Sequence, residues 1–276
     1  MNFEKFFSTI IIMVLVVAFL TGVVAPLFRP PEEKTIKDAF TLNESQVSGI
    51  KRVNINVESN VSGVAVKFEN GTDFIYSIET ERGLEDAKPI VNYTVEGDTL
   101  NVDMGLDEGS VNILLSNRYI YNVTTRSKVG GITLVLGNDS KVDKVNSTIQ
   151  YAGGGTLLVD KATFKNVSMN VNTGGFSIAL LNPEFKGNGS IVTNVTIGGV
   201  TVAQMDPSYP LRIVANVDIG GVTFESTGFN VIRNTTSYLE METGSYKSSG
   251  NRLEIICGVG LGGVSVGTFQ IPIKLR

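Results

Sequence analysis

The chain has 276 residues, of which 42% are hydrophobic and 18% are charged, with 30 glycines, one cysteine and no histidine or tryptophan. This length and apolar content suffice for one large domain with a buried core. The formal charge of -4 is spread along the chain without a lysine- or arginine-rich run, which excludes the electrostatic footprint of a nucleic-acid-binding protein. Without histidine, and with a single cysteine, imidazole and thiolate metal sites are excluded as well.

The first element in chain order is an apolar segment. Residues 6–28 run for 23 positions without a charge, which at about 1.5 Å per residue is enough to cross roughly 30 Å of hydrocarbon. Val23 and Ala25 half satisfy a signal-peptidase site, but Pro26 follows and the run is long for a signal peptide. We therefore predict that residues 1–28 form an uncleaved N-terminal transmembrane helix, with a cleaved signal peptide as the alternative.

Residues 29–48 are polar, charged and proline-started, which predicts a short stalk. From Val53 apolar and polar residues alternate with the period of a β-strand. Residues 74–80 and 90–96 are predicted to be strands joined by a charged loop at 81–89, and a turn at Gly97-Asp98 leads into another strand. This loop is the largest insertion in the repeat region. Such insertions often bind ligands, although a solvated loop is the simpler interpretation.

A glycine-rich phrase repeats along the rest of the chain, as in IGGVTV at 197–202 and IGGVTF at 219–224. The glycine before each strand recurs at positions 109, 131, 155, 175, 199, 221, 244 and 263, in steps of 22, 24, 20, 24, 22, 23 and 19 residues. A near-constant step predicts a stacked repeat. Glycine pairs suit the corners, because they permit positive φ and close backbone approach. The predicted repeat-corner glycines are Gly131, Gly155, Gly175, Gly199, Gly221 and Gly263.

The predicted fold is therefore all-β: a single-stranded β-solenoid with coils of about 22 residues, covering 49–276, irregular over 49–108 and regular over 109–276. A β-sandwich with glycine hairpins is the alternative, but its strands would come at spacings of about 8–12 residues.

Eleven Asn-X-Ser/Thr sequons suggest a glycosylated surface outside the cytoplasm. Strand parity places Asn166 and Asn194 on outward faces. The alternative is that these sequons occur by chance in an Asn- and Thr-rich surface. The glycosylation candidates are Asn43, Asn60, Asn70, Asn92, Asn122, Asn138, Asn146, Asn166, Asn188, Asn194 and Asn234.

Residues 53–275 resemble the bacterial and archaeal β-strand-repeat families called toastrack or "putative adhesin" domains. The residues that carry the resemblance are 199–202 (GVTV), 206–212 (DPSYPLR), 219–224 (IGGVTF) and 96–102 (EGDTLNV). Members often have an acidic residue where this chain has a second glycine, at Gly131, Gly199, Gly221 and Gly263. The resemblance implies a β-solenoid at the cell surface that serves in adhesion, scaffolding or sensing.

Three groups of residues are candidates for a chemical site. Asp103, Asp107 and Glu108, and the pair Asp139 and Asp143, are the densest acid groups, but neither matches a calcium loop, and solvated turn acids are the simpler interpretation. Residues 258–263 (GVGLGG) suggest a dinucleotide loop, yet a strand follows where a helix is required. Cys257 shares the parity of apolar neighbours and is predicted to be a buried thiol. We therefore predict no metal and no cofactor.

These observations predict a non-enzymatic, single-pass membrane protein whose bulk lies outside the cytoplasm. It would act as an adhesin-like binding module or an envelope scaffold. Expected partners are the membrane, through residues 6–28, a cell-wall or surface polysaccharide or a protein ligand, and a second copy of the chain. The alternatives are an extracellular sensor of envelope stress acting through a membrane partner, and a polysaccharide-active β-helix enzyme with paired acids.

Overall fold

The computed structural model describes residues 35–182, 187–203, 206–225 and 227–267. Within them the chain is all-β, and its thirteen strands join in one sheet. The strands are β1 (Thr35–Asn43), β2 (Arg52–Glu69), β3 (Phe74–Gly83), β4 (Ile90–Glu96), β5 (Thr99–Ser116), β6 (Ile120–Leu136), β7 (Lys141–Asp160), β8 (Thr163–Asn182), β9 (Asn188–Ala203), β10 (Leu211–Phe224), β11 (Asn230–Asn234), β12 (Tyr238–Glu242) and β13 (Arg252–Val266). A single 3-10 turn, Glu44–Gln46, follows β1.

Eight long strands of 14 to 20 residues form the body of the sheet. They pair in parallel in the spatial order β5-β2-β6-β7-β8-β9-β13-β10. Each bends once at a corner, which divides it into a first arm and a second arm; in β2 these are residues 52–60 and 62–69. Alternate residues are buried in both arms, and the buried parity changes at the corner, from odd to even positions in β2.

The two arms of neighbouring strands enclose one hydrophobic core. At the end away from the corners, the Phe68 ring from a second arm meets the Tyr121 ring from a first arm edge-on, with centroids 5.2 Å apart. Connections such as residues 117–119 and 161–162 are short, so the chain returns directly from a second arm to the next first arm. Equivalent aliphatic positions of neighbouring strands, such as Val64 and Ile132, therefore lie in register between the arms.

In six of the eight long strands the corner depends on one glycine. The same range of φ, +137° to +153°, is found at these six residues, which in the order of the stack are Gly130, Gly153, Gly174, Gly198, Gly262 and Gly220. We call this set the glycine column. A Cβ on each of them would overlap the carbonyl oxygen at the corner of a neighbouring strand. Any other residue would therefore meet both a strained backbone and a steric clash.

The predicted repeat-corner glycines lie next to this column. Gly131, Gly175, Gly199, Gly221 and Gly263 each follow a member of it directly, and Gly155 lies two residues after Gly153. Gly155 has a separate packing role, because a Cβ there would lie 3.0 Å from the ring of Phe176 on the neighbouring strand. The Phe176 ring thus occupies space that a side chain at position 155 would need.

The order of the strands differs from a simple sequential stack at both ends. β2 lies between β5 and β6, and β13 lies between β9 and β10. The two strands predicted on either side of the charged loop are present: β3 and β4 both pair antiparallel to β5, β3 along its second arm and β4 along its first arm. At the other end β12 and β11 form an antiparallel pair beside β10. The degenerate repeat expected at Gly244 is instead a turn between β12 and β13.

Part of the predicted stalk belongs to the sheet. Residues 35–43 form β1, which pairs with β3, and its inward side chains include Phe40 and the buried Leu42. Their alternation with charged residues is a strand pattern, but the polar composition of 29–48 obscured it. The predicted transmembrane helix at 6–28 lies outside the described residues. Among the residues that are described, no helix is long and apolar enough to cross a membrane.

The glycine column leads to a first prediction. Gly174→Ala forces alanine to φ +137° and places its Cβ against the Gly153 carbonyl, which we expect to lower the free energy of unfolding by about 2 kcal/mol or more. The melting temperature should then fall by about 4 °C or more. The matched control is Gly63→Ala, at the corner of β2, where φ is ordinary and no atom lies within 4 Å of the added Cβ. Equal losses in the two variants would contradict the prediction.

Candidate functional site

A concave surface lies where the corners of β2, β5, β6 and β7 meet the loop between β3 and β4. Its volume is about 670 Å³. We call it the loop groove. It is lined by Glu58, Ser59, Asn60, Ala87, Lys88, Ile90, Gly105, Leu106, Asp107, Arg126, Ser127, Lys128, Thr148 and Gln150. The insertion predicted at 81–89 therefore forms one wall of the groove, and the stacked coils form the other.

A largely buried arginine fixes the loop. The Arg82 side chain is 9% exposed, and its Nε lies 3.1 Å from Oδ2 of Asp38 on β1. Its Nη1 donates to the carbonyl oxygen of Asp86 at 2.7 Å, while the Asp86 carboxylate accepts from the Gly83 backbone N–H at 2.8 Å. A buried guanidinium whose donors are satisfied in this way holds its partners in one arrangement. The loop wall is therefore preformed.

The charges in the loop groove are of two kinds. Arg126 Nη1 lies 3.1 Å from Oε1 of Glu58, and Asn60 donates a short hydrogen bond from Nδ2 to Asp107. Lys88 and Lys128 form no ion pair within the described part of the chain. The acids are thus partly compensated by protein groups, whereas these two ammonium groups can contact a ligand. The exposed side chain of Ile90 adds an apolar surface beside them.

Sequence reasoning identified the loop but missed the arginine and the groove. Glu58 and Arg126 are 68 residues apart, and they meet because β2 inserts between β5 and β6. If the strands stacked in the order of the sequence, β6 would lie next to β5. In the sequence, the groove was indicated by the charged insertion at 81–89. The position of the opposite wall, formed by the stacked strands, depends on strand order.

The outer face of the first arms carries ordered amides. Asn122 Nδ2 donates to Asn54 Oδ1 at 2.9 Å, and Asn54 Nδ2 donates to Asn101 Oδ1 at 2.7 Å. A second pair joins Asn194 Nδ2 to Asn170 Oδ1 at 2.9 Å. Because parallel strands place equivalent residues about 4.8 Å apart, each amide can bridge to its neighbour. The outward amides predicted from strand parity therefore form hydrogen-bonded ladders.

The candidate sequons fall into two groups, according to whether the asparagine amide nitrogen donates a hydrogen bond. The side-chain amide nitrogens of Asn60, Asn122, Asn138 and Asn194 already donate hydrogen bonds, that of Asn138 to the Phe68 carbonyl at 2.6 Å. Among the other candidates, Asn43, Asn70, Asn92, Asn166, Asn188 and Asn234 are exposed and Asn146 is partly exposed. Hydrogen bonds to Asn70 and Asn166 reach their oxygens, so the nitrogens remain available.

The other residues considered as sites occupy separate positions. Asp103 accepts a hydrogen bond from Asn56 at 3.2 Å. Asp143 binds Lys165 at 2.7 Å and Arg52 at 3.0 Å, and the pKa of its carboxyl is lowered mainly by the Lys165 hydrogen bond. The 258–263 run lies within β13, where Gly262 forms the corner. In the described residues no group of three or more acidic, histidine or cysteine side chains is placed to hold a metal ion.

Cys257 lies on the inner side of β13 and is 1% exposed. It belongs to a column of small polar and apolar residues in the core that also contains Thr193, its partner on β9. Burial raises the pKa of the Cys257 thiol to about 11, against a smaller lowering by the hydrogen bond with Thr193. At neutral pH the thiol is therefore protonated and inaccessible.

Comparison with known proteins supports the fold. No family model matches the chain, and no curated protein matches it. A crystal structure described as a "putative cell adhesion protein" from Clostridium sporogenes superposes with a TM-score of 0.54 at 13% sequence identity. The match covers 86% of this chain and 100% of that one. At this identity the likeness concerns the fold alone.

We predict that Cys257 is unreactive in the folded protein. At pH 8 the thiolate fraction is small because the pKa is raised to about 11, and the core blocks the reagent. Mass-shift labelling with iodoacetamide should modify the native protein at least about a hundredfold more slowly than the protein in denaturant, where the thiol pKa returns to about 8.5. Comparable rates in the two states would show that the thiol is accessible.

A further prediction concerns the sequons. An N-glycan is attached through Nδ2, so a tied amide must give up a hydrogen bond that contributes about 0.5–1.5 kcal/mol. Glycopeptide mass spectrometry of the native protein should find higher occupancy at Asn70, Asn92 and Asn234 than at Asn60, Asn122, Asn138 and Asn194. Equal occupancy in the two groups would contradict the proposed role of the ladders, and unmodified asparagines throughout would contradict the prediction of a glycoprotein.

Proposed function

We propose that this chain is a non-enzymatic, membrane-anchored β-solenoid, displayed outside the cytoplasm, that acts as an adhesin-like binding or envelope scaffold module. The observation that carries the proposal is the loop groove. It is a preformed concave surface between a repeated scaffold and the largest insertion in that scaffold, which is the usual position of binding sites in repeat proteins.

The solenoid interpretation rests on the pairing of the eight long strands. Equivalent corner glycines of β6, β7, β8 and β9 lie in register, and each chain passage buries its apolar residues against those of its neighbours. Strands β3 and β4 beside β5, and the pair β11/β12 beside β10, serve as caps, because they cover strand edges that could otherwise pair with another chain. Self-association through a surface other than these edges remains part of the proposal.

The chemistry of the loop groove favours binding. Its lining combines amides, hydroxyls, a compensated ion pair, two ammonium groups and an exposed aliphatic side chain. Such a surface can hydrogen-bond a cell-wall or surface polysaccharide or a protein segment, and the ammonium groups attract acidic parts of either. General acid–base catalysis near neutral pH most often uses histidine, which this chain lacks.

The proposed location rests on the sequence. Residues 6–28 would anchor the chain in the membrane, and the sequons all follow this segment. The binding and scaffold versions need only the folded β domain, whereas a sensor would also need a membrane partner.

The test uses the full chain in detergent micelles and isolated cell envelopes of the source organism. The double variant Lys88→Glu/Lys128→Glu reverses the two unpaired charges of the loop groove, and we expect co-sedimentation with envelopes to weaken by about tenfold, or about 1.4 kcal/mol. The matched control is Lys141→Glu/Lys161→Glu, which changes net charge equally at two exposed lysines outside the groove.

Loss in the control variant of the same size as in the groove variant would show that only net charge matters. Absence of envelope binding by the wild-type chain would reject the binding role. Protection of the chain from protease added to intact cells would reject the extracytoplasmic location.

A further inference from the structure

A second pocket lies apart from the loop groove, on the outer face where the first arms of β8, β9 and β13 begin. Its volume is about 240 Å³. It is lined by Lys165, Asn166, Asn188, Ser190, Tyr246 and Arg252, together with Gly189 and Glu254. Because pockets for drug-sized ligands measure about 300–1,000 Å³, this one suits a single small residue of a larger ligand.

The pocket exists because β13 inserts between β9 and β10. The insertion brings Arg252 into register with Asn188, and Glu254 into register with Ser190. The turn after β12 then carries Tyr246 over the same surface. Two contacts fix this turn and the preceding chain: Gly187 N–H donates to Asn251 Oδ1 at 2.7 Å, and Arg252 N–H donates to the Gly187 carbonyl at 3.0 Å.

Arg252 is the distinctive group in the pocket. Its guanidinium carbon lies 5.5 Å from the centre of the Tyr246 ring, an arrangement that orients the guanidinium by cation–π attraction. No carboxylate of the described residues forms an ion pair with it. The nearby acid Glu254 is taken by Arg212, whose Nη1 lies 2.8 Å from its Oε1. Arg212 is thus ion-paired, whereas Arg252 is oriented by Tyr246 and has no ion-pair partner among the described residues.

The remaining lining groups supply polar contacts. The Asn166 oxygen accepts from Ser190 Oγ at 2.9 Å, so its amide nitrogen is left to donate outward. Asn188 is exposed beside it. Lys165 adds positive charge, although its ammonium is shared with Asp143 at 2.7 Å. The pocket therefore offers one planar, unpaired guanidinium surrounded by amide and hydroxyl groups.

From this arrangement we infer that the pocket binds a uronic acid residue of an acidic polysaccharide. The guanidinium edge presents two parallel N–H donors that match a carboxylate, and the amides of Asn166 and Asn188 are placed for the ring hydroxyls. A peptide carboxylate would use the same guanidinium but not the surrounding hydroxyl-binding groups. This site is separate from the loop groove, so its failure would leave the proposed function standing.

The experiment titrates the full chain, made in a host without N-glycosylation and kept in detergent micelles, with tetragalacturonate, using calorimetry. The neutral probe is the corresponding galactose tetramer, and the peptide probe is tetra-aspartate. Wild type should bind tetragalacturonate at least about tenfold more tightly than either probe. Arg252→Gln should weaken that binding by about tenfold or more, and Arg252→Lys should weaken it less, because the charge stays while the two-donor geometry is lost.

Arg233→Gln is the matched control and should leave tetragalacturonate binding unchanged, because Arg233 is an exposed arginine that also lies over a tyrosine, 4.9 Å from the centre of the Tyr238 ring, but is outside both pockets. Should Arg252→Gln fail to fold, as judged by its melting curve, Tyr246→Leu tests the same pocket from a different element and should also weaken binding. The inference is overturned if wild type binds the charged and neutral tetramers equally, if tetra-aspartate binds as tightly, or if the pocket variants bind like wild type.

Discussion

The structure depends on a steric constraint at the corner of six of the eight long strands. Backbones that cross the corner approach so closely that the carbonyl oxygen of one strand occupies the space of the missing Cβ on a neighbouring strand, at Gly130, Gly153, Gly174, Gly198, Gly262 and Gly220. Positive φ at these residues turns the chain from the first arm into the second. Only glycine satisfies both conditions at little cost. The corner in turn sets the register of the parallel strands, and the register places the aliphatic columns inside and the amide ladders outside.

Both candidate binding surfaces arise where the stack departs from its regular order. The loop groove forms where β2 inserts between β5 and β6 and faces the loop between β3 and β4, which Arg82 holds in place. The Arg252 pocket forms where β13 inserts between β9 and β10 below the turn that carries Tyr246. The middle of the stack, from β6 to β9, pairs its strands in sequence order. The regular coils thus provide a rigid surface, and the irregular ends provide the concave sites with unpaired cations.

The candidate sites could be predicted only in part. The charged loop at 81–89 stood out because it interrupts the repeat, and its flanking strands were predicted close to their observed bounds. Arg82, Arg126 and Arg252 did not stand out, because an arginine in a strand pattern does not reveal whether it is buried, ion-paired or free. Glu254 forms an ion pair with Arg212 on β10, which leaves Arg252 without an ion-pair partner. Which arginine is paired depends on which strands are neighbours, and the repeat pattern indicates only that the strands stack.

The all-β class, the alternation that assigns inner and outer faces, and the positions of the corners could be predicted from the sequence, because glycine pairs and two-residue periodicity are local properties of the chain. The inward direction of Cys257 could be predicted for the same reason, since strand parity is local. Three features could not: residues 35–43 join the sheet, Gly244 lies in a turn, and β2 and β13 insert out of sequence order. These outcomes depend on which strand edges are free to pair, and edge pairing uses backbone hydrogen bonds that are nearly the same for every residue.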